Sequence, residues 1–361
     1  MSRLFSTITL GRYPLRQGLP MRVCLTIDTE FSIAGAFADA TLRPVGTQMV
    51  RCEIDGRSHG LEFILDCFER HGIVATFFIE TVQRHYFLDD PMRKIAQRIA
   101  TTAHELQLHA HPCWALFQHE DWRERARSNT RQDDFAGRDV QSTLGLLRQG
   151  QATFAEWGLA PPQVFRAGSL QHDESLYVAM AMAGIPYSSN IGLAIFNSGL
   201  PDYQLHSGRH LRHGVLECPV LTFSDWRLRR PHLKTVSISG TSFAETCTLL
   251  EQAYAAGMEQ VVILSHPFEY VHSFSAGFGP LRRHAVNQSR LERLCAYLAI
   301  NRHRFQSSGL AAAASQPLAP ASSHNTLLRG LPWQSACRMA TQLLYDRYGE
   351  WQLSRRTASA A

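Results

Sequence analysis

Asp28-Thr-Glu30 and His109-Ala-His111-Pro112 carry the side chains in this sequence best suited to metal-assisted hydrolysis. Residues two apart on an extended chain point the same way, so each pair can face one site. Two imidazoles at that spacing can grip a single divalent ion through their ring nitrogens. Two carboxylates can divide the remaining work, one ligating the ion and the other taking a proton from water. Which of Asp28 and Glu30 does which stays open. The plainer reading of the acidic pair is a helix-capping Asp beside a solvated Glu. Cys113, close behind the His pair, is either a soft third ligand or a packed wall residue.

Two further motifs complete the set. Phe165-Arg166-Ala-Gly168 offers an Arg able to hold a nearby carboxylate ionised and oriented; an ordinary surface ion pair is the alternative. Gly168 admits close backbone approach by a substrate, and the amide that follows, at Ser169, can donate to an oxyanion. Asp173 lies just beyond. Leu264-Ser-His266-Pro267 closes an apolar stretch with a His suited to protonating a leaving amine, or with a satisfied structural His.

The elements that must position these residues alternate in type. Strands are expected at 22–28, 74–80, 105–111, 164–168, 187–190, 216–220 and 261–267. Helices are expected at 59–72, from Pro91 to before Thr102, and at 138–157, 174–184, 243–257 and 288–302. Apolar, β-branched strands alternating with helices imply a parallel sheet covered by helices, and about seven such units favour a (β/α) barrel over an open sheet. Asp28, Glu30, His109, His111, Arg166 and His266 all fall at the C-terminal ends of these strands, the face on which barrel enzymes build their sites.

Gly72-Ile-Val-Ala-Thr76-Phe-Phe78, followed by His104-Glu-Leu-Gln-Leu-His109, resembles the NodB-type polysaccharide deacetylases, carbohydrate esterase family 4. Later motifs keep the family's order: a strand ending in Arg, the turn Gly184-Ile-Pro-Tyr187-Ser-Ser and a final Leu-x-His strand. The resemblance spans residues 22–304. It implies a distorted (β/α)7 barrel, one divalent metal with zinc as the expected ion, and hydrolytic removal of acetyl from an amino sugar. By position it implies Asp28 as base, His109 and His111 as metal ligands with Glu30 in place of the family's ligating Asp, Arg166 as the tether of the base, and His266 as general acid. Gly168 and Ser169 would border the substrate. The chain departs from the family at three motifs. It has Thr26-Ile-Asp28-Thr-Glu30 where the family has T-F-D-D-G, His109-x-His111 where it has H-x-x-x-H, and Arg166-Ala-Gly168-Ser169 where it has R-x-P-Y. These departures point away from the family's usual cell-wall polymer; the expected intracellular location, and that alone, points to an acetamido sugar on a nucleotide or lipid carrier during surface-glycan synthesis.

Three rival readings remain. One is another amide hydrolase on the same barrel. A second is an amidohydrolase of the (β/α)8 type, whose H-x-H closes the first strand, whereas two strand–helix units precede it here. The third is a non-catalytic glycan-binding scaffold.

Composition narrows the setting. The 361 residues are 45% hydrophobic and 19% charged, ordinary for a chain with a substantial core. The basic excess is scattered Arg with small clusters at Arg227, Arg229, Arg230 and at Arg282, Arg283, too sparse for a nucleic-acid stripe. No apolar run is long enough to span a bilayer. Eight cysteines at irregular spacing, with no C-x-x-C pair, fit a reducing compartment, and residues 1–20 make no signal peptide, so the expected location is cytoplasmic. The expected organisation is a lead-in at 1–20, a barrel at 21–305, and an Ala/Ser/Pro linker with a loosely ordered tail at 306–361, the tail offering at most a short amphipathic helix at 327–351.

Overall fold

A computed structural model describes residues 19–360 apart from 129–130, 228, 276 and 319–322, with side chains of the last helix described as far as Tyr345. The lead-in therefore lies almost wholly outside the described residues. The first barrel strand, β1 (Met21–Thr29), is buried along nearly its whole length on both faces. Such burial is what a continuous apolar run implies for a central parallel strand. Helix α1 (Leu61–His71) lays Leu61, Ile64, Leu65 and Phe68 against the core and ends at Gly72, whose φ of 62° is left-handed and stops the helix. There follow β2 (Ala75–Glu80), α2 (Pro91–Ala100), β3 (Glu105–Ala110), α3 (Val140–Glu156), β4 (Val164–Ala167), α4 (Glu174–Ala183), β5 (Tyr187–Ser188), β6 (Val215–Glu217), α5 (Phe243–Ala255), β7 (Gln260–Ser265) and α6 (Ala285–Ile300).

The seven strands pair in parallel in the order β7-β1-β2-β3-β4-β5-β6. The ring closes irregularly. Just beyond β6, Val220 bridges Val262 of β7, and Ser237 bridges Leu264. The amide of Leu221 donates to the Val262 carbonyl at 3.0 Å. The result is a distorted (β/α)7 barrel, the barrel expected from the alternation in the distorted form that the family resemblance implies. Between the two closing bridges the chain leaves the barrel as a hairpin, Thr222–Arg227 against Pro231–Thr235.

The stretch after Arg304 is not a linker at its start. Strand β8 (Phe305–Ser307) pairs with Met21–Val23, where β2 has not yet begun. Helix α7 (Leu310–Ala314) then covers the N-terminal end of the barrel with Leu310, Ala311, Ala313 and Ala314 all buried. Glu105 accepts the amides of Ala311 and Ala312 at 2.9 and 3.0 Å, a carboxylate at a helix N-terminus. Three of the alanines that read as linker composition, Ala311, Ala313 and Ala314, are buried in this seal, while Ala312 faces outwards. The tail is likewise more ordered than expected. Helix α8 (Pro332–Ala360) docks through Ser335 and Arg338 on the buried carboxylate of Glu245, and Arg338 also reaches Asp225 at 3.1 Å.

Candidate metal centre

All six strand-end residues reach one mouth of the barrel, but the structure sends the two carboxylates of the first motif to different partners. Glu30 turns towards β3. Its Oε2 lies 2.8 Å from Nε2 of His109 and 2.9 Å from Nε2 of His111. Asp28 turns towards β4 and β7. Its Oδ1 accepts from Arg166 Nη1 at 2.7 Å, and its Oδ2 lies 3.8 Å from His266 Nε2. Asp28 and Glu30 therefore share a strand face, as period two requires, yet serve separate halves of the site.

The partners of each imidazole fix what the His pair presents. His109 donates from Nδ1 to the Arg166 carbonyl at 2.8 Å, and a carbonyl can only accept. In the neutral ring, Nε2 then carries a lone pair. The Nδ1 of His111 lies 2.7 Å from Asp133, so the same tautomer follows. The two rings stand 82° apart with centroids 5.1 Å from one another. Two ring lone pairs and a carboxylate oxygen thus converge on one volume. They repel unless positive charge lies between them. Protons supply that charge when no ion is bound. Although burial opposes it, the His111 proton is held well above the usual imidazole range by Asp133 and Glu30. Burial likewise pushes the Glu30 carboxyl up, but the two imidazoles prevail and hold it well below its ordinary value.

One divalent cation fits this donor set. Three ligand atoms of Glu30, His109 and His111 lie within 4.8 Å of one another. Zinc ligands at about 2.0–2.1 Å define tetrahedral edges of about 3.3 Å, so the present contacts need open by only roughly half an ångström. Two imidazoles and one carboxylate leave a fourth position for water or substrate, the pattern of a catalytic zinc site. Cys113 lies outside this set. Its thiol is buried beside Asp133, its amide donates to that carboxylate at 3.4 Å, and its Sγ falls within 4.8 Å of donor atoms of His111 and Asp133.

Arg166 is fully buried and completely engaged. Besides Asp28 it donates to Thr26 Oγ1 at 2.8 Å and to the Ser189 carbonyl and hydroxyl at 3.1 and 2.8 Å, while its guanidinium lies 4.2 Å from the Phe78 ring centroid. A buried guanidinium with every face occupied cannot swing away, so it holds Asp28 in one orientation. His266 is oriented from its other nitrogen by Glu269 at 3.0 Å. Glu269 in turn accepts from Ser239 and Ser265. Burial lowers the His266 proton affinity, but Glu269, then Glu30 and Asp28, raise it further, to a pKa of about 9.

A Cβ on Gly168 would sit 2.4 Å from Nδ1 of His111, so the glycine makes room for the ligand ring. Ser169 and Leu170 follow with φ of 53° and 54°, two successive left-handed residues without glycine's freedom. Ser169 is exposed at the rim. Asp173 is a helix cap. It accepts from Leu176 at 3.1 Å and from the Gly137 amide at 2.6 Å, which pins the loop that carries Asp133.

Three supporting carboxylates were not among the expected residues. Asp133 sits in an aperiodic polar stretch with no local signal. Glu269 follows His266 at helical-turn spacing, a detectable but weak hint. Glu80 closes β2 at the same barrel face as the ligands, so the strand-end rule would have found it. It is fully buried and accepts the amides of Val82 and His111, both at 2.6 Å. Burial, only partly offset by His111 and His109, raises its carboxyl to about 7.

No family profile matches the chain, and no curated protein matches its sequence. Solved structures do. A Mycobacterium smegmatis protein assigned as a polysaccharide deacetylase aligns over 87% of this chain and 99% of its own, at 16% identity and a TM-score of 0.46. A peptidoglycan N-acetylglucosamine deacetylase aligns over 85% and 92% at 14% identity and a TM-score of 0.41. A family 4 acetyl xylan esterase from Clostridium thermocellum, solved with a cobalt ion, aligns over 86% and 98% at 12% identity and a TM-score of 0.39. Likeness at this level leaves activity to be read from the side chains themselves.

Proposed function

We propose that this chain is a metal-dependent amide hydrolase that removes acetyl from an acetamido sugar. The observation that carries the reading is the convergence of Nε2 of His109, Nε2 of His111 and Oε2 of Glu30, with Asp28 and His266 3.8 Å apart at the same barrel mouth. A divalent cation on Glu30, His109 and His111, zinc by donor chemistry, would polarise an amide carbonyl and bring the pKa of water towards neutrality. The chain's own residues supply the rest. Asp28, oriented by Arg166, takes the proton of the attacking water. His266, protonated and held by Glu269, delivers a proton from Nε2 to the departing nitrogen. The rim amide at Ser169 donates to the developing oxyanion. The left-handed backbone at Ser169 and Leu170 favours this reading, since strain of that kind is retained where the surroundings and the function require it.

An acid paired across the site from a base is what amide cleavage needs, because the amine leaves only when protonated. The motif resemblance at Gly72–Phe78 and His104–His109 narrows the amide to an acetamido sugar. All eight cysteines are free. Among the described residues no helix is long and apolar enough to cross a membrane. Free thiols favour a cytoplasmic enzyme acting on a nucleotide- or lipid-linked sugar in surface-glycan synthesis. The deciding experiment measures acetate release from free, nucleotide-linked and polymeric acetamido sugars, with and without chelator. Chelator-sensitive release from a carrier-linked sugar is the expected result. Release of a different acid or amine, or no turnover by metal-replete protein, overturns the reading.

A further inference from the structure

The geometry points to a second metal site, structural in kind, on the outside of the barrel where α1 packs against α6. Cys67 and His71 lie one helical turn apart on α1, and Glu292 and Cys295 one turn apart on α6. Residues at these spacings share a helix face. Donor atoms of Cys67, His71 and Glu292 lie within 4.8 Å of one another. His71 Nε2 stands 3.2 Å from Glu292 Oε1, repeating in looser form the imidazole-to-carboxylate approach at the barrel mouth. Cys295 lies beside Cys67 across the helix interface and supplies the fourth donor when its side chain turns to the ion. Both cysteines are fully buried, while His71 and Glu292 reach the surface with side-chain exposures of 21% and 36%, which leaves a path for an ion.

Two thiolates, one imidazole and one carboxylate form a closed tetrahedral set, the pattern of structural zinc. Charge supports it. Two thiolates and a carboxylate exceed a dication by one negative charge, and Arg70 provides the compensating positive charge, holding Glu292 in a bidentate pair at 2.5 and 2.8 Å. The Oε2 atom can stay with Arg70 while Oε1 turns to the ion. The site would join the helix that follows β1 to the helix that follows β7, clamping neighbouring units from opposite ends of the chain. Closing so long a loop is where a cross-link removes the most chain entropy.

The test reloads chelator-stripped full-length protein with Co2+. The expected result is two equivalents per chain, one of which brings the near-ultraviolet thiolate-to-cobalt charge-transfer band. His71→Ala and Cys67→Ser should each remove one equivalent and the band while leaving acetate release unchanged. The His109→Ala, His111→Ala double variant should remove the other equivalent and keep the band. Should Cys67→Ser fail to fold, His71→Ala, at a half-exposed helix end, carries the test alone. Absence of the band, its survival in His71→Ala, or a Cys67–Cys295 disulfide in the freshly purified chain overturns the proposal.

Discussion

His109 and Arg166 are locked together through the backbone: the Arg166 carbonyl accepts the His109 Nδ1 proton at 2.8 Å, while the guanidinium of the same residue holds Asp28 at 2.7 Å. One residue of β4 thus fixes the tautomer of a ligand and the orientation of the base. The site behaves as a unit because its two halves share that residue.

Removing the base should separate chemistry from metal binding. Asp28→Asn is isosteric and touches none of Glu30, His109 or His111, so metal content is expected to stay at the wild-type level. Turnover should fall by about a hundred- to ten-thousand-fold, the usual worth of a positioned base. Metal analysis alongside initial rates checks both halves of the statement.

Asp133 should matter through the ion alone. With Asp133→Asn the partner that orients His111 from Nδ1 loses its charge. Metal affinity is expected to drop roughly 10- to 100-fold, as for other groups that hold a ligating His. Saturating metal should restore most of the turnover, which competition against a chromophoric chelator can follow.

Gly168→Ala tests whether the glycine serves the ligand ring. The added Cβ lands 2.4 Å from His111 Nδ1, so the ligand ring or the strand end must shift. The variant should fold, since its φ is ordinary, yet bind metal poorly. Full metal affinity in Gly168→Ala would falsify this assignment.

The acid should titrate late. With a folded pKa of about 9, above the ordinary value near 6.5, His266 stays protonated through neutrality and loses its proton only as pH rises through about 9. The stability it lends is therefore complete below its unfolded pKa and disappears over that alkaline interval. Activity in kcat should fall on the same side. Glu269→Gln removes the largest raising influence and should shift the alkaline limb to lower pH. A bound cation beside Glu30 acts in the same direction, so NMR titration of His266 should give a higher value in metal-free than in metal-loaded protein.

The segment after Arg304 should behave as core. Leu310 is fully buried, so Leu310→Ala is expected to cost about 2–5 kcal/mol of unfolding free energy, readable by denaturant titration.

The alternation of strands and helices, hence the barrel, is legible along the chain, and so is the placement of Asp28, Glu30, His109, His111, Arg166 and His266 at one end of it. Those features follow from short-range periodicity and from the rule that parallel strands end at a common face. Which acid meets the imidazoles emerges only once the chain is folded. Asp28 and Glu30 have the same local signature, and their fates diverge because β3 lies one strand beyond β2 while Arg166 fills the space beside Asp28. Asp133, the seating role of Gly168 and the buried fate of Leu310 were equally out of reach. Each depends on a partner brought in by folding from a distant part of the chain, and no spacing along the chain records such a contact.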